Sequence, residues 1–195
     1  MGRKARFTEG DFIRAALELL SEKGLKGVTM AGIADRINAP VGSVYHRFAS
    51  REILLAELWV KLIESFQSGF IDALAKGNGQ QAALYTLTWI RKHPNQARVF
   101  LLHRREQLIT GNWPDSVKGR VEKLKEDLDE SLKAFTQQLF GKANQKNRAR
   151  VAFCLIHVPT SAARDYLEAG EPIPGYFDQF IRETYQALLG EHQTD

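Results

Sequence analysis

The stretch from Thr29 to Phe48, TMAGIADRINAPVGSVYHRF, constrains this chain more than any other. Asn38-Ala39-Pro40 breaks it into two short apolar-periodic runs. Met30, Ile33, Ala34 and Ile37 recur at steps of three and four and share one helical face. Val44 and Phe48 share the next, leaving Gly42, Ser43, Tyr45, His46 and Arg47 to point elsewhere. Helices this short do not hold themselves together in water. They must share a core with a third element, and the apolar run Phe12 to Leu20 just upstream supplies one. A helix pair joined by a tight turn, whose second helix has a small, polar, aromatic and basic outer face, is the pattern of a helix-turn-helix DNA reader.

Charge points the same way. Residues 1–51 carry nine basic side chains (Arg3, Lys4, Arg6, Arg14, Lys23, Lys26, Arg36, Arg47, Arg51) against five acidic ones (Glu9, Asp11, Glu18, Glu22, Asp35). The formal charge of the chain is +4, so the rest of it is neutral. A polyanion is the natural partner for the N-terminal part, and none is implied for the remainder. Solvation of a plain surface is the competing reading of charge alone. The basic arm Arg3, Lys4 and Arg6 is open in the same way: it can track phosphates or enter the minor groove, or it can be a solubilising tail.

The chain reads as helices throughout. Thr8 is an N-cap with Asp11 three residues on. Gly24 suits a left-handed stop, Thr29 caps the second helix, and Pro40 suits the first turn of the third. Ser50 caps a long helix, whose first turn offers free N–H groups to a phosphate and where Arg51 adds charge. Its apolar positions run from Ile53 to Leu74, further than a small head can cover. The helix over 51–75 therefore bridges into a second body and stops at Lys76-Gly77-Asn78-Gly79. Further helices are predicted over 80–93, 94–109, 115–140, 144–169 (bent near Pro159) and 176–189. The fold class expected is all-α, with about nine helices. A helix-turn-helix head over 1–50 (motif 29–48) is followed by a helical effector-binding and dimerisation body over 51–195.

Here the residues meet a known family. The head resembles the N-terminal DNA-binding domain of the TetR family of bacterial transcriptional regulators. The resemblance rests on Gly24, Val28-Thr29-Met30, Ile33-Ala34, Gly42-Ser43-Val44-Tyr45-His46, Phe48 and Ser50-Arg51-Glu52-Ile53-Leu54, within residues 8–60. It departs from the family at Asn38, where a turn glycine is common, and at Val41, where a basic residue often stands. Asn38 can also occupy the left-handed region. Gly42 lets backbone approach DNA closely. Ser43, Tyr45, His46 and Arg47 offer groups to phosphates and base edges, and Tyr45 also a surface for sugar or a thymine methyl. With Arg3, Lys4, Arg6, Thr29, Pro40, Val41, Ser50 and Arg51 they make the expected DNA-binding set. The resemblance implies a repressor that binds a palindromic double-stranded operator and is released by a small, largely apolar effector. The competing reading is a helical protein-interaction module that does not bind DNA.

The neutral body has two expected uses, and the family implies both. One is homodimerisation, since a single short recognition helix covers few base pairs and two-fold pairing reads a palindrome. Phe177, Phe180, Ile181, Thr184 and Leu188 form one candidate seam stripe, and Val151, Leu155, Val158 and Ala162 another; an intramolecular core is the alternative for both. The other use is an effector pocket. Trp59, Phe66, Trp89, Phe100, His103, Trp113, Phe153, His157 and Tyr166 are bulky residues expected to face one another, although each taken singly reads more readily as plain core. The bridging helix is expected to carry the effector's influence to the head.

Enzyme chemistry is not expected. His157, Ser161 and Asp165 lie at steps of four, but a triad needs the histidine between the other two. His103 and Glu106 lack further metal-ligating partners, and no phosphate-loop or dinucleotide glycine signature occurs. No cofactor is implied. The lone Cys154 cannot form an internal disulfide, no apolar run is long enough to span a bilayer, and no signal core follows the N-terminus; the expected location is the cytoplasm.

Overall fold

A computed structural model describes residues 7–103 and 113–190. The basic arm Arg3, Lys4 and Arg6 and the metal-ligand candidate Glu106 lie outside the described residues. The head opens with α1 (Glu9–Gly27). Thr8 and Asp11 form its capping box: the Thr8 hydroxyl oxygen accepts from the Asp11 N–H at 3.3 Å, and the Asp11 carboxylate accepts from the Thr8 N–H at 2.9 Å. The hydrogen bond from the Thr8 backbone, ahead of the Arg14 guanidinium, holds the Asp11 carboxyl below its ordinary range. Gly24, expected as a stop, instead kinks the rod: at φ 66° and ψ −174° it adopts a backbone that only glycine takes readily, and one more turn continues to Gly27.

Next come α2 (Met30–Arg36), capped by the Thr29 hydroxyl oxygen accepting from the Gly32 N–H at 3.0 Å, and α3 (Val41–Arg47), preceded by Pro40 at its N-cap. Asn38 turns the chain between them at φ 52°. The bridging helix α4 (Arg51–Ala75) starts at the expected cap, Ser50. The body consists of α5 (Gly79–Lys92), α6 (Pro94–Leu102), α7 (Asp115–Phe140), α8 (Gln145–Ala152), α9 (Val158–Ala169) and α10 (Phe177–Leu189). A π-helical turn over Phe153–His157 joins α8 to α9. With that run taken as one rod there are nine helices and no strand among the described residues. Of the helix expected over 94–109, α6 is its described portion. No helix among the described residues is long and apolar enough to cross a membrane.

The bend expected near Pro159 takes the form of that π turn, and the reason is local. Pro159 has no N–H to give the Leu155 carbonyl, four residues back. The buried Thr86 hydroxyl on α5 donates to the Leu155 carbonyl at 3.2 Å instead. The wider turn keeps residues four apart in phase. Val151, Leu155, Pro159, Ala163 and Leu167 therefore all face inward, while Phe153, His157, Ser161 and Asp165 all face out.

Two cores are strung along α4. The first joins the head helices to α4 as far as Ile63, and also takes Val99 of α6 and Trp113, Val117 and Val121 at the start of α7. The second begins at Phe66 and fills the space among α4, α5, α7, α9 and α10. Arg120 on α7 clamps the α4 surface where the two meet, donating to Glu57 at 2.7 Å and to Glu64 at 3.3 Å. At the other end of α4, Arg51 reaches back to the α1–α2 connection: Nε donates to the Val28 carbonyl and Nη2 to the Leu25 carbonyl, each at 2.5 Å. A lysine has no such fork. Arg51→Ala is expected to lower unfolding free energy by about 1.5–3 kcal/mol, the range for hydrogen bonds made by a charged group, and Arg51→Lys to recover little of it. Urea denaturation checks this; an unchanged midpoint in Arg51→Ala contradicts it.

Candidate nucleic-acid interface

The seven residues of α3 divide cleanly by burial. Val44 is fully buried, as is Phe48 just past the helix, where its ring meets Phe12 edge-on at 6.5 Å. That anchoring turns Val41, Gly42, Tyr45, His46 and Arg47 outward, with Ser43 half-buried at the edge. Val41 is 41% exposed and Tyr45 55%. Among the described residues the side chains of Ser43, Tyr45, His46 and Arg47 make no hydrogen bond or ion pair. A cleft of about 510 Å³ runs beneath them, lined by Phe7, Phe12, Pro40, Gly42, Ser43, His46 and Arg47.

Three other basic groups of the head are occupied, Arg14, Arg36 and Arg51. Arg14 pairs with Asp11 at 2.5 Å. Arg36 on α2 donates to Glu22 at 2.8 Å and reaches Glu18 at 3.5 Å, which ties α2 to α1. Arg51, expected to hold DNA, spends Nε and Nη2 on main-chain carbonyls, and its Nη1 lies 3.9 Å from Glu52. Its role in this structure is to position the head, a correction to the expected phosphate contact. Two donors, Thr29 and Ser50, serve first as caps; the Ser50 oxygen accepts from the Ile53 N–H at 3.3 Å. Each hydroxyl keeps its proton for another acceptor.

Gly42 stands in the middle of this face without an intramolecular reason. A Cβ added there meets nothing within 4 Å. Its φ is not in the left-handed region, so the turn does not require glycine either. A helical glycine costs about 1 kcal/mol relative to alanine. The open space leaves room for an outside surface to come close to the backbone.

The nine residues expected to line a pocket fall into separate places. Trp59, Phe66, Trp89 and Phe100 do converge: Trp59 and Phe100 centroids lie 5.3 Å apart, Phe66 and Trp89 5.4 Å, Trp89 and Phe100 6.1 Å. They pack on one another as core. His103 follows α6, half-buried, and burial, then Arg98, pushes its pKa down. Trp113 is buried in the head-side core instead. Phe153 is 51% exposed and His157 is exposed as well, so the π turn carries both away from the pocket they were expected to line. Tyr166 joins a different aromatic group, with Phe177 edge-on at 5.5 Å and the Tyr176 hydroxyl at 3.4 Å.

Sequence periodicity did not point to a second volume, a cleft of about 590 Å³ among α5, α6, α9 and the 170–176 connector. Ile90, Leu167 and Ile173 give it apolar walls, and Asn95, Arg98, Tyr166 and Glu171 polar ones. Arg91 latches the connector against α5, donating to the Ile173 carbonyl at 3.3 Å, the Pro174 carbonyl at 2.9 Å and Asp178 at 2.7 Å. The two prolines and two glycines of the connector were a legible sign of a shaped loop, but not of what it faces.

The expected seam is partly corrected. Val151, Leu155 and Ile181 are buried inside the protomer, where they pack in the body core. Phe180 is 50% exposed, and Val158, Ala162, Phe177, Thr184 and Leu188 are half-buried. Tyr176, 54% exposed, and Phe153, 51% exposed, are further open aromatic rings that the two stripes did not include. His157 on the π turn and Ser161 and Asp165 on α9 make no hydrogen bonds with one another and lie open to solvent. Cys154 is buried, and burial pushes its thiol up to about 11, far from a reactive thiolate.

This geometry defines a helix-turn-helix protein that presents its second short helix outward from a larger helical body. Residues 12–58 match the bacterial regulatory proteins of the tetR family. The HTH-type transcriptional repressor KstR2 of Rhodococcus jostii (strain RHA1) is 30% identical over 86 residues, which is 44% of this chain and 41% of that relative, so the match spans less than half of it. Among solved structures, a transcriptional regulator from Rhodococcus sp. Rha1 superposes with a TM-score of 0.72 at 15% identity, over 97% of this chain and 100% of the other. FadR from Bacillus subtilis, in complex with stearoyl-CoA, gives 0.69 at 14% identity, over 93% and 98%. The head carries the match to the tetR family, over residues 12–58, and the whole length shares the fold of these regulators.

Gly42→Ala provides a test with opposite signs. It is expected to hold or raise thermal stability, by up to about 1 kcal/mol from helix propensity. It is also expected to weaken duplex binding about tenfold or more, about 1.4 kcal/mol. Calorimetry and fluorescence anisotropy check the two halves; undiminished DNA affinity contradicts the close approach.

Proposed function

We propose that this protein is a transcriptional repressor that binds a palindromic operator as a homodimer and is released by a small, largely apolar effector. The observation that carries the proposal is the outer face of α3, where Ser43, Tyr45, His46 and Arg47, whose side chains have no partner among the described residues, surround a glycine with open space where a Cβ would be. Phosphates are held by Ser43, His46, Arg47 and the caps Thr29 and Ser50, with the arm Arg3, Lys4 and Arg6 alongside; Pro40 and Val41 bring the start of α3 to the groove. The neutral body then serves pairing and release.

Pairing uses the open aromatic surface of the π turn and α10, centred on Phe153, Tyr176 and Phe180, with the half-buried Val158, Ala162, Phe177, Thr184 and Leu188 around it. The Tyr176, Phe177 and Phe180 rings lie 5.1–5.7 Å from one another, and open rings grouped in this way favour burial against a second copy. Light scattering is expected to give the mass of two chains. Phe180→Glu is expected to give folded monomers with weakened operator binding; a wild-type monomer at micromolar concentration contradicts the pairing.

The effector occupies the cleft among α5, α6, α9 and the connector, within the size range of small-molecule sites. Support for this place comes from α6, which lines the cleft and also packs on α1 of the head. A ligand that binds better when α6 and α9 are spread shifts α6 against the head. It then weakens DNA binding by its differential affinity for the two arrangements. The route through α6 adds to the one along α4. In a thermal-shift screen of small apolar acids, compounds that stabilise the wild type are expected to lose their effect on Asn95→Trp, which fills the cleft. Equal stabilisation of both proteins contradicts this site.

A further inference from the structure

Among the described residues, five large apolar side chains are exposed, and two of them sit on the seven-residue α3. Val41 and Tyr45 are four residues apart, so they lie one above the other on the same outward face, about 6 Å apart along the axis. The buried stripe of the helix, Val44, faces the other way. Neither exposure is needed by the head, whose core is closed by Phe12, Val44, Phe48 and Leu54.

A valine here has a specific chemical consequence. It carries no donor, so it cannot hold a phosphate. In the major groove of duplex DNA the base-edge feature that an apolar side chain recognises is the C5-methyl group of thymine. A valine is also short and meets a base edge only where the helix comes close to the groove floor. Gly42 beside it, with open space where a Cβ would be, permits that approach. Tyr45, one turn on, is long enough to reach a second methyl with its ring and still offer its hydroxyl to a phosphate. We propose that Val41 and Tyr45 read thymine methyl groups about two base-pair steps apart in each half-site, which makes sequence choice at those positions depend on a methyl contact rather than on a hydrogen bond. The inference rests on the DNA-binding reading above. It assigns Val41 as a specificity-determining residue at a position where no charged contact is available.

The test isolates the methyl. Duplexes enriched from a random library with the wild-type protein are resynthesised with deoxyuridine in place of one thymine at a time. That change deletes one methyl and leaves every hydrogen-bonding group intact. Wild type is expected to lose about three- to fivefold in affinity at one or two thymines per half-site, the value of one buried methyl group. Val41→Ala is expected to be indifferent to the change at one of them, and Tyr45→Ala at the other. Both residues are exposed, so both variants are expected to melt with the wild type. Wild-type affinity untouched by every deoxyuridine overturns the inference, as does Val41→Ala that keeps the full wild-type sensitivity. Failure to enrich any sequence overturns the DNA-binding reading itself, so the two failures are distinguishable.

Discussion

What the head presents outward depends on burying one edge of a helix too short to exist alone. α3 has seven residues, well below the length at which a helix persists in water. It is held by Val44 and by Phe48, whose ring stands edge-on to Phe12 of α1. That single contact decides which residues can face a partner. It turns four polar side chains and a glycine toward solvent and fixes their phase. α2 is tied to α1 in turn by Arg36 on Glu22 and Glu18, and the α1–α2 connection to α4 by Arg51.

The same logic explains how the head's cations divide. Those that bind the protein to itself are already paired, or aimed at carbonyls. Among the described residues Arg47 on α3 stays free, as do Lys23 and Lys26 near the end of α1. Formal charge alone did not distinguish the two groups, because a guanidinium that serves as a strut counts the same as one that is available. The body adds no net charge, yet its α6 and α7 touch the first core through Val99, Val117 and Val121. The head is therefore not an independent bead on a linker. It shares a core with α6, which also lines the body's cleft.

Much of this was legible in the sequence because short-range chemistry dictates it. Thr8 with Asp11, Thr29, Ser50 and Gly141 mark helix ends by the hydrogen bonds or the backbone they supply, and α7 falls on the 115–140 span that its heptad-like leucines and valines predict. Asn38 replaces a turn glycine and takes the same left-handed backbone. The failures share one cause. A helical wheel assumes constant phase, and the π turn ahead of Pro159 breaks it. Val151 and Leu155 therefore went inward rather than to a seam, and Phe153 and His157 outward rather than to a pocket. Arg51 was misread for another reason: its partners are main-chain carbonyls 23 and 26 residues earlier, which no side-chain pattern records. The cleft beside α6 was not legible because its walls come from two stretches far apart in the chain, 90–98 and 166–173.

The measurement that bears most directly on the account is duplex affinity as a function of salt concentration, for wild type and for a variant with His46→Ala and Arg47→Ala together. Phosphate contacts release counterions, so the logarithm of affinity is expected to fall linearly with the logarithm of salt, with a slope of about 0.9 per phosphate neutralised. A steep line for the wild type and a clearly shallower one for the variant is the predicted result. A wild-type line that is nearly flat, or a slope the double substitution leaves unchanged, would contradict the claim that the outer face of α3 is a DNA-binding surface.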